Sequence, residues 1–252
     1  AFYLCDGFTG SLTIPNSVTT IGEDAFAGCT RFNGTLTIGN SVTSIGENAF
    51  LYCTFNGLSI NMPNIPNNFI STVGGTYSGP LFIGNSVTSI GMNAFKDCTF
   101  NGLNVNMPNI PESFRGRLAA NFSGSLIIGN SVTSIGDYAF FNYSGFDGTL
   151  TIGNSVTSIG YAAFYGNHGF TGNLTIPNSV TTIGENAFYQ CNGFNGNLTI
   201  GNSVISIGEE AFAGCDGFVG TLALGNSVAS IGNLAFYLCD GFTGSLTIPN
   251  SV

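Results

Sequence analysis

The sequence has few charged side chains and very few positive ones. Of its 252 residues, 4 are Lys or Arg and 13 are Asp or Glu, which gives a net charge of −9. A surface that binds nucleic acid needs clustered Lys and Arg. We therefore predict no nucleic-acid partner, and we interpret the acidic balance as a contribution to solubility.

The sequence also lacks a long apolar run. Its mean hydropathy is positive, but Gly, Asn, Ser and Thr interrupt every stretch before it reaches the roughly 18 apolar residues of a membrane-spanning helix. We predict no transmembrane segment.

Residues suited to catalysis or metal binding are scarce. The single histidine, His168, lies in a Gly- and Asn-rich loop, where an isolated His is usually solvated. The sequence has no Cys-x-x-Cys pair and no Gly-Gly-x-Gly-x-Asp calcium repeat. A column of carboxylates is interpreted as a solvated edge, with calcium binding as the less favoured alternative: Glu23, Glu47, Asp137, Glu185 and Glu209. We predict no catalytic residues, no metal site, no cofactor and no enzymatic activity.

What the sequence has is a repeat of 22 to 24 residues. Ten full units and one partial unit start at a leucine: Leu12, Leu36, Leu58, Leu81, Leu103, Leu126, Leu150, Leu174, Leu198, Leu222 and Leu246. A regular period of this length is typical of a solenoid, in which each unit buries its apolar face against its neighbours. We predict one β-rich solenoid domain over residues 1–252, with ten full repeats starting at Leu12 and partial repeats at both ends.

The unit that starts at Leu36 predicts the structure of one coil. Leu-Thr-Ile alternates, so it predicts a short strand with Leu36 and Ile38 inward and Thr37 outward. Gly-Asn-Ser supplies a tight corner, and Val-Thr-Ser-Ile predicts a second short extended segment. Residues 47–53 are too few for more than one or two helical turns, so we expect one short 3₁₀ or α turn per coil of about 24 residues.

Two further columns of residues recur at fixed repeat positions. Asparagine follows the first strand, where it is expected to bond the turn backbone of its own or the next coil: Asn16, Asn40, Asn85, Asn130, Asn154, Asn178, Asn202, Asn226 and Asn250.

The seven cysteines share another position: Cys5, Cys29, Cys53, Cys98, Cys191, Cys215 and Cys239. Neighbouring coils would place these cysteines about 4.8 Å apart, farther than the ~3.8 Å between the Cβ atoms of a disulfide. We predict free, buried thiols that pack as small hydrophobic groups.

Residues 58–80 and 103–125 form a second type of unit. Both contain Asn-Met-Pro-Asn-Ile-Pro, and the second proline of each motif, Pro66 or Pro111, suits the first turn of a helix. We predict a fuller helical segment in these two variant coils.

The same part of the chain changes the outward position of the first strand. This position is usually Thr, but three successive units have Phe82, Asn104 and Ile127. Apolar residues exposed among polar ones favour an interaction site. We predict a ligand-binding surface there, with Arg115 and Arg117 nearby.

The stretch Leu12–Cys29, L-T-I-P-N-S-V-T-T-I-G-E-D-A-F-A-G-C, resembles the BspA-like, Treponema-type leucine-rich repeat. The resemblance extends over essentially the whole chain. It implies a right-handed superhelix with short parallel strands on one face. It also implies an extracellular or cell-surface protein of a bacterium or protozoan parasite, acting as an adhesive or structural array that binds protein or glycan on host or neighbouring cells.

Threonine ladders suggest an alternative function. Outward threonines recur at two repeat positions, as in an ice-binding solenoid: Thr151, Thr175 and Thr199 at one, and Thr133, Thr157 and Thr181 at the other. β-propensity alone also produces such columns. Ala223 and Ile205 interrupt them.

The two ends of the sequence are alike. Ala1–Val18 and Ala235–Val252 are the same eighteen residues, and both ends fall within a unit. Open strand edges favour further pairing, so we expect a segment of a longer chain or of a filament made by head-to-tail self-assembly. A truncated chain is the alternative.

Overall fold

The computed structural model describes all 252 residues and shows a parallel β-solenoid, which confirms the predicted fold class. The elements up to Val105 are β1 Gly10–Ile14, β2 Thr20–Ile21, β3 Phe32–Ile38, β4 Ser44–Ile45, β5 Thr54–Phe55, β6 Gly57–Ile60, β7 Asn64–Ile65, α1 Phe69–Val73, β8 Thr76–Tyr77, β9 Leu81–Ile83, β10 Ser89–Ile90 and β11 Thr99–Val105. The remaining elements are β12 Asn109–Ile110, α2 Phe114–Leu118, β13 Asn121–Ile128, β14 Ser134–Ile135, β15 Leu150–Ile152, β16 Ser158–Ile159, β17 Leu174–Ile176, β18 Thr182–Ile183, β19 Leu198–Ile200, β20 Ser206–Ile207, β21 Leu222–Ala223 and β22 Ser230–Ile231.

The chain consists of two compact units. The first unit contains Ala1–Met107 and Gly116–Phe122, and the second contains Pro108–Arg115 and Ser123–Val252. The interpretation of residues 1–252 as a single domain stays a prediction.

In the first unit, the first strands of successive coils pair in parallel in the order β1-β3-β6-β9-β11. Each residue pairs with its counterpart one repeat away, so that one row runs through five leucines: Leu12, Leu36, Leu58, Leu81 and Leu103. The short strands form the pairs β2-β4, β5-β8 and β7-β10. The repeat of the sequence thus sets the register.

In the second unit, the first strands form the sheets β13-β15 and β17-β19-β21. The short second strands form one parallel sheet in the order β12-β14-β16-β18-β20-β22. Here too each residue pairs with its counterpart in the next repeat: Ile159 with Ile183, and Ile183 with Ile207.

The alternation of Leu-Thr-Ile directs the strands as predicted. In β15, Leu150 and Ile152 are buried and Thr151 is exposed. Phenylalanines complete the core as face-to-face stacks between coils, for example Phe188 on Phe212 with ring centroids 5.1 Å apart. The inward assignment of Leu and Ile is confirmed.

The turn segment of the ordinary coils differs from the expected 3₁₀ or α turn. In residues 186–191, alternate N–H groups bond within the segment and to the next coil. Tyr189 N donates to Asn186 O at 3.1 Å, whereas Phe188 N donates to Ala211 O at 2.7 Å. A helix keeps its N–H groups for its own carbonyls, so this alternation produces successive β-turns instead. Asn186 and Gln190 adopt φ values of 55° and 56° to make them.

The two variant coils contain the predicted helices. Helix α1 begins three residues after Pro66, and α2 begins three residues after Pro111. The first N–H groups of a helix have no partner within it. Near the start of α1, Ile70 N donates to Ala94 O of the next coil at 2.9 Å. Both helices have five residues and are far too short to cross a bilayer.

Candidate binding surfaces

The outward face of the first strands in the second unit carries an open groove of about 820 Å³. We call it the threonine groove and define it by six lining residues: Thr151, Thr175, Thr199, Asn154, Asn178 and Asn202. Thr175 pairs with Thr199 on the neighbouring strand, and Thr199 pairs with Ala223. Strand alternation therefore builds a neutral, polar row.

A ladder of hydrogen bonds fixes the asparagines of this groove. The Oδ1 atom of Asn178 accepts from Asn202 N at 2.7 Å, and Asn202 Oδ1 accepts from Asn226 N at 3.2 Å. The same bond joins Asn16 to Asn40 and Asn130 to Asn154. The Oδ1 atoms of Asn178 and Asn202 are thus used within the chain, and the Nδ2 groups of these two asparagines keep their donors for a ligand.

The second threonine ladder is used internally. Thr157 Oγ1 donates to Thr133 O at 3.0 Å, and Thr181 Oγ1 donates to Thr157 O at 3.1 Å. The hydroxyl hydrogens of this ladder therefore bond the protein's own backbone. This arrangement weighs against the ice-binding alternative, which needs both ladders directed at water.

Two of the predicted ligand-binding residues are brought together in the first unit. Phe82 on β9 pairs with Asn104 on β11, and Ser59 on β6 pairs with Phe82 from the other side. Phe82 is 38% exposed. In the second unit, Ile127 on β13 pairs with Thr151 and is 40% exposed. All these residues hold outward strand positions.

The two arginines predicted to lie near these residues bond elsewhere. Arg117 Nη1 donates to Ile90 O at 3.4 Å in the first unit. In the second unit, the guanidinium group of Arg115 lies 4.8 Å from the ring centroid of Tyr143. Both groups contact their own chain, and no contact places them beside Phe82 or Asn104.

All seven cysteines are free, as predicted, but the prediction that they are buried is wrong for Cys5, Cys98 and Cys239, which are half-buried. The buried cysteines also act as hydrogen-bond donors. Sγ of Cys215 donates to Phe188 O of the preceding coil at 3.0 Å, and Cys29, Cys53 and Cys191 make the same bond. Where Asn167 replaces cysteine, its Nδ2 donates to Phe140 O at 2.8 Å. Burial raises the pKa of Cys53 to about 11 and that of Cys191 to about 12, so these thiols lack the thiolate character of reactive cysteines.

Titratable groups are dispersed. His168 is exposed, and its Nδ1 lies 3.2 Å from Asn192 Oδ1. No group of three or more His, Cys, Asp or Glu side chains is arranged to hold a metal ion.

Comparison with known families gives a match over most of the chain. A sequence model of the BspA-type leucine-rich repeat region matches in 6 copies, over residues 1–114, 74–195 and 119–243. A comparison with curated protein sequences gives no match.

Two solved structures share the fold. A leucine-rich repeat protein from Bacteroides ovatus ATCC 8483 is 23% identical, with a TM-score of 0.54, and the match covers 99% of this chain and 69% of that one. A leucine-rich repeat protein from T. pallidum is 20% identical, with a TM-score of 0.52, and covers 71% of this chain and 82% of that one.

Proposed function

Because this chain belongs to the family of BspA-type leucine-rich repeats, we propose that it is a non-enzymatic repeat protein of the cell surface or the extracellular space. Its role is adhesive or structural, and it binds a protein or a glycan on host or neighbouring cells. Repeat solenoids typically work as extended binding surfaces.

The threonine groove is the observation that supports this proposal. Its lining side chains are neutral, and they combine Thr hydroxyls with the free Nδ2 donors of Asn178 and Asn202. A ligand for such a surface presents hydrogen-bonding groups without charge, such as the hydroxyls of a glycan or the backbone of an extended protein segment.

The groove can be tested by adding charge and bulk to it. Labelled protein is applied to host cells, to a glycan array and to immobilised matrix proteins. We expect Thr175→Lys/Thr199→Lys to lose the binding that the wild type shows, because two lysines would fill the groove. The control is Ser155→Lys/Ser203→Lys, which adds the same charge at exposed turn positions. Equal binding by the groove variant and the control would refute the proposal.

The sites at Phe82, Asn104, Ile127, Arg115 and Arg117 remain proposed ligand contacts. Head-to-tail self-assembly into a filament stays a prediction, which electron microscopy of the source material can check.

A further inference from the structure

A cluster of exposed and half-buried aromatic side chains lies on the turn side of the second unit. We call it the aromatic face and define it by five residues: Tyr138, Phe141, Tyr161, Tyr165 and Tyr189. The ring of Tyr138 packs edge-on against Phe141 and Tyr161 at 5.5 and 5.1 Å. Tyr165 stacks between Phe141 and Tyr189 at 4.9 and 4.7 Å. The five rings therefore form one continuous surface.

This surface stays open to solvent although it is aromatic. Tyr138, Phe141 and Tyr161 are 37 to 38% exposed. At the repeat position that Phe141 and Tyr165 occupy, other coils have a buried alanine, Ala27 or Ala213. The coil therefore folds without an aromatic ring there. Exposed apolar clusters of this kind mark interaction surfaces, and tyrosine is enriched where partners bind most tightly.

Two carboxylates belong to the coils that follow Tyr161. Glu185 O accepts from Ala162 N at 2.9 Å, which places the exposed Glu185 beside Tyr161, and Glu210 lies in the next coil. The pKa of Tyr161 is raised first by a hydrogen bond with Tyr138, and also by the negative charges of Glu185 and Glu210. Burial raises the pKa of Tyr165, with Tyr189 and Glu210 adding to the effect. Glu185 has one weak bond, from Asn186 Nδ2 at 3.4 Å, and no cation pairs with either carboxylate.

We propose that the aromatic face binds an arginine-bearing segment of a partner protein. A guanidinium group would lie against a ring face that no neighbouring ring covers, such as the outer face of Tyr189 at the end of the stack, where the π-electrons attract its positive charge. Glu185 and Glu210 would accept charge-assisted hydrogen bonds from the same groups. The second unit already contains one such contact, since Arg115 lies over Tyr143. The carboxylates favour a cationic ligand over a neutral sugar.

The proposal does not rest on the threonine groove, because the two surfaces share no residue. The groove variant Thr175→Lys/Thr199→Lys would leave the aromatic face intact. The two binding activities can therefore fail separately.

The test measures binding of a peptide that carries four arginines separated by Gly and Ser, with a terminal fluorescein. Fluorescence anisotropy is followed as the full chain is added. We expect saturable binding that weakens with salt, and weaker binding of the lysine version. Phe141→Ala/Tyr165→Ala/Tyr189→Ala should bind at least about tenfold more weakly, because it removes the stacked rings and with them the ring face on which the guanidinium group lies. Its alanines copy Ala27 and Ala213, so the fold should persist.

A second pair of variants separates local recognition from net charge. Glu185→Gln/Glu210→Gln and Glu23→Gln/Glu47→Gln remove the same charge from different places. We expect only the first pair to weaken binding more than about threefold, since long-range attraction contributes equally to both. Three results would each overturn the proposal: no saturable binding by the wild type, equal binding of a glutamine version of the peptide, or equal effects of the two charge pairs.

Discussion

Residues 58–80 and residues 174–197 build one coil each, but they turn the same corner differently. The ordinary coil 174–197 uses successive β-turns, whereas the variant coil uses helix α1. Both nevertheless donate N–H groups to the next coil at the corner: Asn186 to Glu209 O at 2.9 Å in the first case, and Asn68 to Met92 O at 3.0 Å in the second. The bonds between coils are therefore retained while the local backbone changes.

The variant coil changes the environment of the cysteine that follows it. Cys215 donates to Phe188 O of the preceding ordinary coil. Cys98 follows the coil that contains α1 and makes no such bond, and it is only half-buried. A helix turns its carbonyls along its own axis, so the acceptor that the β-turns offer is missing.

The largest expected effect tests what the two kinds of coil share. Ile152→Asp in an ordinary coil and Ile60→Asp in the variant coil should each lower the free energy of unfolding by several kcal/mol, because both side chains are buried and an unpaired carboxylate is costly there. Chemical denaturation measures the change, and Thr151→Asp on the outward face is the control. Tolerance of Asp at position 60 alone would show that the variant coil packs differently.

An intermediate effect tests what the two coils do not share. Cys215→Ala should destabilise the protein by about 1–2 kcal/mol, since it removes a buried sulfur and its hydrogen bond. Cys98→Ala should cost less than about 1 kcal/mol, because the thiol is half-buried and unbonded. Thermal unfolding of the two variants under reducing conditions compares them. Equal losses would mean that the helix has no effect on the cysteine column.

The smallest expected effect on stability concerns the outward strand face. Replacement of Phe82, Asn104 and Ile127 by Thr restores the usual residue of this position. The change should alter the free energy of unfolding by less than about 1 kcal/mol, because most surface substitutions have effects of this size. It should also weaken the binding of a partner. A partner that binds the triple variant as tightly as the wild type would remove these residues from the binding surface.

The sequence was sufficient to predict which side chains of a strand are buried, because this depends only on neighbours within the strand. Leu150, Thr151 and Ile152 were predicted inward, outward and inward because the strand period is local. The β-turns were not predicted, because Asn186, with its positive φ, donates its N–H to Glu209 O in the next coil. Local propensity contains no information about those bonds.

Side-chain partners were harder to predict for the same reason. The hydrogen bonds of the four buried cysteines were not predicted, since the carbonyl that each of these thiols contacts lies in another coil. Arg117 Nη1 donates to Ile90 O, a backbone partner that the sequence did not indicate, and its role beside Phe82 stays a prediction. The column of Phe141, Tyr165 and Tyr189 was visible in the sequence as aromatic residues at one repeat position, and this signal could have indicated the aromatic face.

Each strand residue pairs with the residue at the same repeat position of the next coil, so the chain can change its length by whole coils. Ile159, Ile183 and Ile207 are in register, 24 residues apart. Loss of residues 183–206 through recombination between similar gene segments would place Ile207 beside Ile159, where Ile183 had been. Every following residue would again meet its own counterpart. Coils can therefore be gained or lost as whole modules during evolution, without a new core having to be found.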